Sequence, residues 1–262
     1  MKFAVNYSVG LSNCLKEDGF HVDLIKCPEW DGLLMEARKI KPVYIHFDIR
    51  VGNGTVYHLD WKKIHYLMEL TDTPHLNCHL VTTRDTDPDS PSDTLRMLKT
   101  WENEINLLSA QVGNKHLAVE HFPFMPYNPH MRAAVDAKNI SAIVEQTGCR
   151  FLFDLAHARI TALNLNLDEK AYAHSLPIHQ IVELHITGIK PYNGFLVDHF
   201  ELGDADWDYA SWVFDLIRSG TIPKPYITAF EYGGVTNTFA WRSDQAILKA
   251  QIPRLSKLVA SI

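Results

Sequence analysis

The chain has 262 residues, 46% hydrophobic and 21% charged, which suits one large α/β domain with a substantial core. A formal net charge of −6 argues against a broad nucleic-acid-binding surface. The four cysteines, Cys14, Cys27, Cys78 and Cys149, form no C-x-x-C pair and read as reduced, buried thiols of a cytoplasmic protein. No apolar run approaches the roughly 20 residues of a membrane span, and MKFAVNYSVG opens on strand-like sequence without a signal-peptide apolar region.

Short apolar runs alternate with longer amphipathic ones, as in successive β/α units. The first strands are KFAVNYS (2–8), HVDLIKC (21–27) and PVYIHFD (42–48), the third carrying His46 at its end. HLNCHLV (75–81) ends near His79, and an acidic, proline-rich connection (85–93) follows it on the solvated rim. Ser90 then caps a helix with Pro91 at its first position and Asp93 three residues after the cap. Leu95, Leu98, Trp101, Ile105 and Leu108 supply its core-facing stripe. The strands HLAVEHF (116–122), RFLFDLA (150–156) and QIVELHI (180–186) bring Glu120, Asp154 and His185 to their ends. A long loop (191–207) holds Asp198 and His199, and Ala210, Val213, Phe214 and Ile217 stripe the next helix. PYITAFE (225–231) closes on Glu231, and a final helix from about Ser243 contains Pro253, which predicts a kink or a break. Eight strands in this order predict a single (β/α)8 TIM-barrel domain over 1–262.

In such a barrel all strand C-termini meet at one rim. His46, His79, Glu120, Asp154, His185 and Glu231 therefore converge, with His157 and His199 just beyond two strand ends. Glu120, Asp154 and Glu231 would repel one another in a shared pocket, and no Lys or Arg is read at an equivalent strand end to neutralise them. Asn6 and Lys26, on the first two strands, could face the mouth, and neither is assigned a role. Divalent metal is the economical solution. Residues three apart on a strand face opposite sides, so His157 of Asp154-x-x-His157 must lie past the strand, where the chain turns. Glu120, near the middle of the strand order, is the natural bridging carboxylate. His46, His79, Glu120, Asp154, His157, His185, His199 and Glu231 form the candidate ligand set, and Glu120, Glu231 and His157 the candidate catalytic groups. Mixed nitrogen and oxygen donors without cysteine suit iron, zinc or manganese. There is no P-loop, G-x-G-x-x-G or G-x-S-x-G motif, so nucleotide cofactors and serine hydrolysis have no support.

Glu120, Asp154-x-x-His157, His185 and Glu231, in this order, resemble the ligands of the xylose-isomerase-like TIM-barrel superfamily. Within it, PVYIHFDIRVGNG, TDTPHLNCHL and above all residues 147–188 are similar to the multinuclear non-heme iron-dependent oxidative enzymes, the family of the methanobactin oxazolone-forming enzyme. That resemblance implies two or three divalent ions, iron favoured over zinc or manganese, held by His46, His79, Glu120, Asp154, His185 and Glu231. It further implies oxidation of a peptide cysteine or small thiol, with the peptide delivered by a partner protein. The chain departs from the family where His157 replaces Asn, where Asp198-His199 replaces Asp-x-His, at His121, and at Tyr232-Gly233. The wider superfamily implies two alternatives: a sugar isomerase or epimerase using Glu120 and Glu231 as acid-base groups, and a zinc-dependent phosphodiester hydrolase of the apurinic endonuclease type.

Overall fold

A computed structural model describes residues 1–17, 20–234 and 242–262. It opens with β1 (Lys2–Asn6), α1 (Val9–Cys14), β2 (Leu24–Cys27), α2 (Asp31–Arg38), β3 (Val43–Ile45), β4 (Arg50–Val51), α3 (Trp61–Thr71), β5 (Leu76–Leu80) and α4 (Pro91–Val112). β6 (Leu117–His121), α5 (Ala137–Thr147), β7 (Arg150–Asp154), α6 (Leu155–Asn164), α7 (Glu169–Ser175) and β8 (Ile181–Ile186) follow. The chain continues through β9 (Gly188–Tyr192), β10 (Phe195–Phe200), α8 (Asp204–Arg218), β11 (Ile227–Phe230) and α9 (Gln245–Ala260).

Nine strands form one parallel sheet in the order β3-β2-β1-β11-β8-β7-β6-β5-β4. Its two ends, β3 and β4, are separated only by residues 46–49, so the sheet closes on itself through continuous chain. The architecture is the expected TIM barrel, with the third strand divided in two. β3 pairs with β2, whereas β4 pairs with β5. Between them a side chain stands in for the ladder: Asn77 Oδ1 accepts from Phe47 N at 2.8 Å and Asn77 Nδ2 donates to Phe47 O at 3.0 Å. That amide satisfies backbone groups which the interrupted strand would otherwise leave unpaired.

Side chains alternate across each strand, and this alternation builds the site. Ala4, Leu24, Tyr44, Ile227 and Ala229 form a small buried cluster separate from the main core, and Ala118, Leu152 and Val182 form another. Two residues beyond Ala4, Leu24, Tyr44, Ala118, Leu152 and Ala229 stand Asn6, Lys26, His46, Glu120, Asp154 and Glu231. The same step leads from Asn77 to His79 and from Glu183 to His185. Each barrel strand thus raises one polar side chain above an inner plug. The outward-facing residues, among them Phe3, Val5, Ile25, Val119 and Phe153, pack in the main core.

Several helical expectations hold and others change. Ser90 caps α4 as expected, accepting from Asp93 N at 3.3 Å, and the α8 stripe Ala210, Val213, Phe214 and Ile217 is buried. Leu95, however, is 69% exposed. The buried face of α4 is instead Met97, Trp101, Glu104, Ile105 and Leu108. α9 runs through Pro253 without a break, held along its length by the buried Leu248, Ile252, Leu255 and Val259. The loop expected over 191–207 contains a β-hairpin, β9 with β10, that rises from the rim directly after β8.

The turn after β4 shows why a charge sits in the α4 stripe. Glu104 accepts from Gly52 N at 2.8 Å and Gly54 N at 3.0 Å, while Trp101 Nε1 donates to Val81 O at 2.7 Å. Gly52 has φ +112, and a Cβ there would lie 1.9 Å from Val81 O and 2.6 Å from Trp101 Nε1. Both the backbone conformation and the space exclude a side chain. Gly52→Ala is expected to lower unfolding stability by about 2–4 kcal/mol, measured by denaturant titration. A change within about 0.5 kcal/mol would contradict the packing described.

Candidate metal centre

The C-terminal ends of the strands place the expected ligands in one buried volume. Glu120 and His79 face each other in register on β6 and β5, and Asp154 and His185 do so on β7 and β8. His46 follows β3 within the strand gap, and Glu231 follows β11 by one residue. Asp154 ends its strand and also caps α6, its Oδ1 accepting from His157 N at 2.9 Å. That cap puts His157 in the first turn of α6 with its ring over the pocket, as the three-residue spacing required. His199 lies on β10, not in a loop, at a register shift of the hairpin and with φ 64.

Second hydrogen bonds orient the rings. His185 Nε2 lies 2.7 Å from Glu183 Oε1, which leaves Nδ1 facing Glu231 Oε1 at 3.4 Å, Glu120 Oε1 at 3.5 Å and Asp154 Oδ2 at 3.6 Å. His157 Nδ1 bonds His121 O at 2.8 Å, so Nε2 faces Asp198 Oδ2 at 3.2 Å and Asp154 Oδ2 at 3.8 Å. His199 Nδ1 bonds Glu231 O at 3.0 Å and its Nε2 stands 3.5 Å from Asp198 Oδ2. On the far side of Glu120, Oε2 lies 3.0 Å from His79 Nε2 and 3.5 Å from His46 Nε2. Metal-bound histidines characteristically have the other nitrogen tied to a carboxylate or carbonyl, as His185 and His157 do.

These distances suit shared ions. Donors bound at about 2.1 Å to one ion lie about 3.0–3.5 Å apart. His46, His79 and Glu120 form one compact set, Asp154, His185 and Glu231 a second, and Glu120, Asp154 and His157 a third. Glu120 Oε2, Asp154 Oδ2 and His185 Nδ1, which face the pocket, are buried without a hydrogen-bond partner. Unpaired buried carboxylate oxygens are costly, and a cation is what this donor set fits. Glu183 also lies close to His46 and His185, but its oxygens are already engaged by Tyr44 Oη at 2.7 Å, His75 Nε2 at 2.5 Å and His185 Nε2. It is a support beneath the centre.

The electrostatics record the same tension. Burial works against the charge on Glu120, yet His79 and His185 hold its carboxyl well below the usual range. Burial opposes a charge on His157 too, but Asp154, Asp198 and Glu120 outweigh it and push the ring up to about 10. Asp198, buried but facing His199 and His157, is drawn down to about 2. Without an ion, protons on the histidines take over part of the neutralising role.

Fixed cations take another part, contrary to the expectation that none stands at a strand end. Lys26, 4% exposed on β2, bonds Glu231 Oε1. Arg242, 6% exposed, lies in the field of Asp198 and Glu231, with burial lowering it to about 10. Glu183, His75 and Tyr44, which support the site from beneath, were not among the expected site residues. The E-x-H spacing of Glu183 and His185, one face of a strand, was the available signal. Of the histidines expected to be surface or packing residues, His58, His65, His116, His174 and His179 are exposed and His130 is half-buried. Of the departures from the family pattern, His157, Asp198 and His199 face the pocket. His121 points away, its ring stacked on Phe151 with centroids 5.6 Å apart. Tyr232 is buried against Phe230, centroids 5.8 Å apart, and Gly233 packs over Asn6, where a Cβ would lie 2.9 Å from Asn6 O.

Residues 93–215 match the RiPP precursor modification enzyme MbnB/TglH/ChrH family. A UPF0276 protein of Paraburkholderia phytofirmans is 32% identical over 72 residues, 25% of this chain and 24% of that protein. A UPF0276 protein of Acaryochloris marina is 21% identical over 164 residues, 62% of this chain and 49% of that protein. The chain therefore aligns with half or less of the length of these curated relatives. Among solved structures, a putative xylose isomerase from Rhodospirillum rubrum superposes with a TM-score of 0.59 at 13% identity, covering 100% of this chain and 99% of that one. The chain thus has the fold of xylose-isomerase-like TIM barrels, and its central segment is similar to the RiPP precursor modification enzyme family.

Proposed function

We propose that the protein is a multinuclear metal-dependent oxidative enzyme, loaded with two or three iron ions, that acts on a peptide cysteine or a small thiol. The observation carrying this reading is Glu120, whose two oxygens face two different donor sets: His46 and His79 on one side, His185 on the other. A carboxylate so placed bridges ions. Bound iron would supply the one-electron chemistry toward dioxygen that side chains lack. The chain's own groups set the geometry: Glu120 fixes the spacing of the two sets, and Glu183 holds the His185 ring in one tautomer. His157, through Nε2, and Glu231 are the groups placed to hold or release a proton at the pocket face. At the same rim, the exposed Tyr127 and Phe195 meet edge to face at 4.7 Å and offer aromatic surface to a peptide, presented by a partner protein.

A one-ion sugar isomerase or epimerase is the second reading. Glu120, Asp154, His185 and Glu231 would suffice for it, with Glu120 and Glu231 as acid-base groups, and the putative xylose isomerase shares the fold. The two readings part at the paired histidines. His46→Ala with His79→Ala is expected to remove one ion per chain and leave the Asp154–His185–Glu231 ion, counted by elemental analysis; unchanged metal content would favour the isomerase.

Anaerobically prepared protein is expected to contain iron and to consume dioxygen when a cysteine-containing peptide is added. Zinc or manganese without iron, together with no oxygen uptake, would sink the oxidative reading.

Ion binding should also release protons. His157 is pushed up to about 10, so the ion-free ring is charged at neutral pH and ligation must displace that proton. Apparent affinity should then weaken as pH falls, by up to about tenfold per unit for each proton released, seen by calorimetry in buffers of different ionisation enthalpy. A pH-independent affinity between 6 and 8 (about the working range of such titrations) would exclude His157 as a ligand.

A further inference from the structure

Six barrel positions supply candidate ligands, and the two that remain are neighbours. β1 ends in Asn6 and β2 carries Lys26 near its end, the pair standing opposite each other in register. This sector of the rim holds no metal donor, yet its side chains are not plugs. The Lys26 stem is buried and its ammonium meets Glu231 Oε1, the oxygen that also faces His185 Nδ1 at 3.4 Å. Asn6 Oδ1 is buried with no hydrogen-bond partner. An ammonium carries three donors. Glu231 engages one of them and is the only hydrogen-bond partner of Lys26 among the described residues.

Charge gives this sector a direction. Glu120, Asp154, Asp198 and Glu231 bring four negative charges to the pocket, and Glu183 beneath them is held by Tyr44, His75 and His185. With Glu183 counted, two divalent ions together with Lys26 and Arg242 carry six positive charges against five carboxylates, an excess of one. A loaded site therefore attracts anions. An ion on Glu231 Oε1 would lie about 4–5 Å from Lys26 Nζ, the sum of one coordination bond and one charged hydrogen bond. That is the span between the sulfur and the carboxylate of a short mercapto acid.

We propose that Lys26, flanked by Asn6, is a substrate-binding residue that takes a carboxylate of the substrate while the substrate's metal-binding atom sits over the ions. The inference rests on the metal-centre reading above and narrows its substrate to carboxylate-bearing molecules. The Lys26 ammonium donates to the carboxylate, and the free Asn6 Oδ1 accepts an N–H from the same molecule.

The test uses cobalt(II)-loaded protein and two thiols, 3-mercaptopropionate and 2-mercaptoethanol, followed by the thiolate-to-cobalt charge-transfer band. Wild type is expected to bind the mercapto acid about tenfold or more tighter. Lys26→Met should bring the two affinities within about twofold, with cobalt content unchanged, whereas Lys26→Arg should keep the preference. Should the methionine variant not fold, Lys26→Gln gives the same reading. A preference that survives the loss of Lys26 would mean that the carboxylate binds the ions and would overturn the proposal. Equal weakening of both thiols, or a loss of cobalt, would overturn it too, since Lys26 would then only shape the site. Wild type that takes up no cobalt would instead refute the metal centre, which elemental analysis registers before any thiol is added.

Discussion

Four carboxylates aimed into one buried volume are the constraint on which the rest of this molecule depends. Glu120, Asp154, Asp198 and Glu231 cannot all be ionised there without compensation. The chain answers with fixed cations at one edge, Lys26 and Arg242, and with histidines across the remainder. The histidines are exchangeable partners: they can hold protons, or they can surrender them to ions. The site is thereby tolerable empty and better satisfied full. A barrel suits this arrangement, because eight strand ends from distant parts of the sequence meet without any of them having to bend.

Support beneath the ligands is as specific as the ligands. Glu183 binds Tyr44, His75 and His185 at once, so one carboxylate from β8 ties the floor of the pocket to the strand gap and to the entry of β5. Asp154 divides its two oxygens between a helix cap and the pocket. Such double service makes the centre stiff: a ring can hardly turn without breaking a bond that the fold also needs.

Much of this was legible in the sequence because strand ends advertise themselves. A histidine or acid after an apolar run is visible without any knowledge of neighbours, and all eight expected ligands face one pocket. What escaped needed knowledge of register or of partners. Lys26 lies one residue inside an apolar run, and only the alternation below it, Leu24 facing inward, tells that it faces the pocket. Glu104 broke an apolar helical stripe with no sequence reason; the reason is the pair of amides at Gly52 and Gly54, about fifty residues away. Leu95 fitted the stripe by spacing, but the buried face of α4 begins two residues later, at Met97. The hairpin β9–β10 was hidden because its short strands bury no face, Gly188 being the one buried residue in the pair. Asp198 gains its place only through that hairpin.

The seam at Asn77 carries a last consequence. Elsewhere in the barrel, neighbouring strands are joined by repeated backbone bonds, and no one side chain decides whether they stay together. Along residues 45–49 the seam is held partly by side chains, Thr73 Oγ1 on Ile45 N and the Asn77 amide on Phe47, before the backbone bond from His79 N to Ile49 O resumes the ladder; Asn77 Nδ2 also lies 3.2 Å from His46 Nε2. The same side chain therefore serves a mechanical role, bridging part of the seam, and a chemical one, contacting the first donor set. Sequence drift cannot adjust these two roles separately at this position. A substitution at Asn77 would disturb the seam and the His46 ring together.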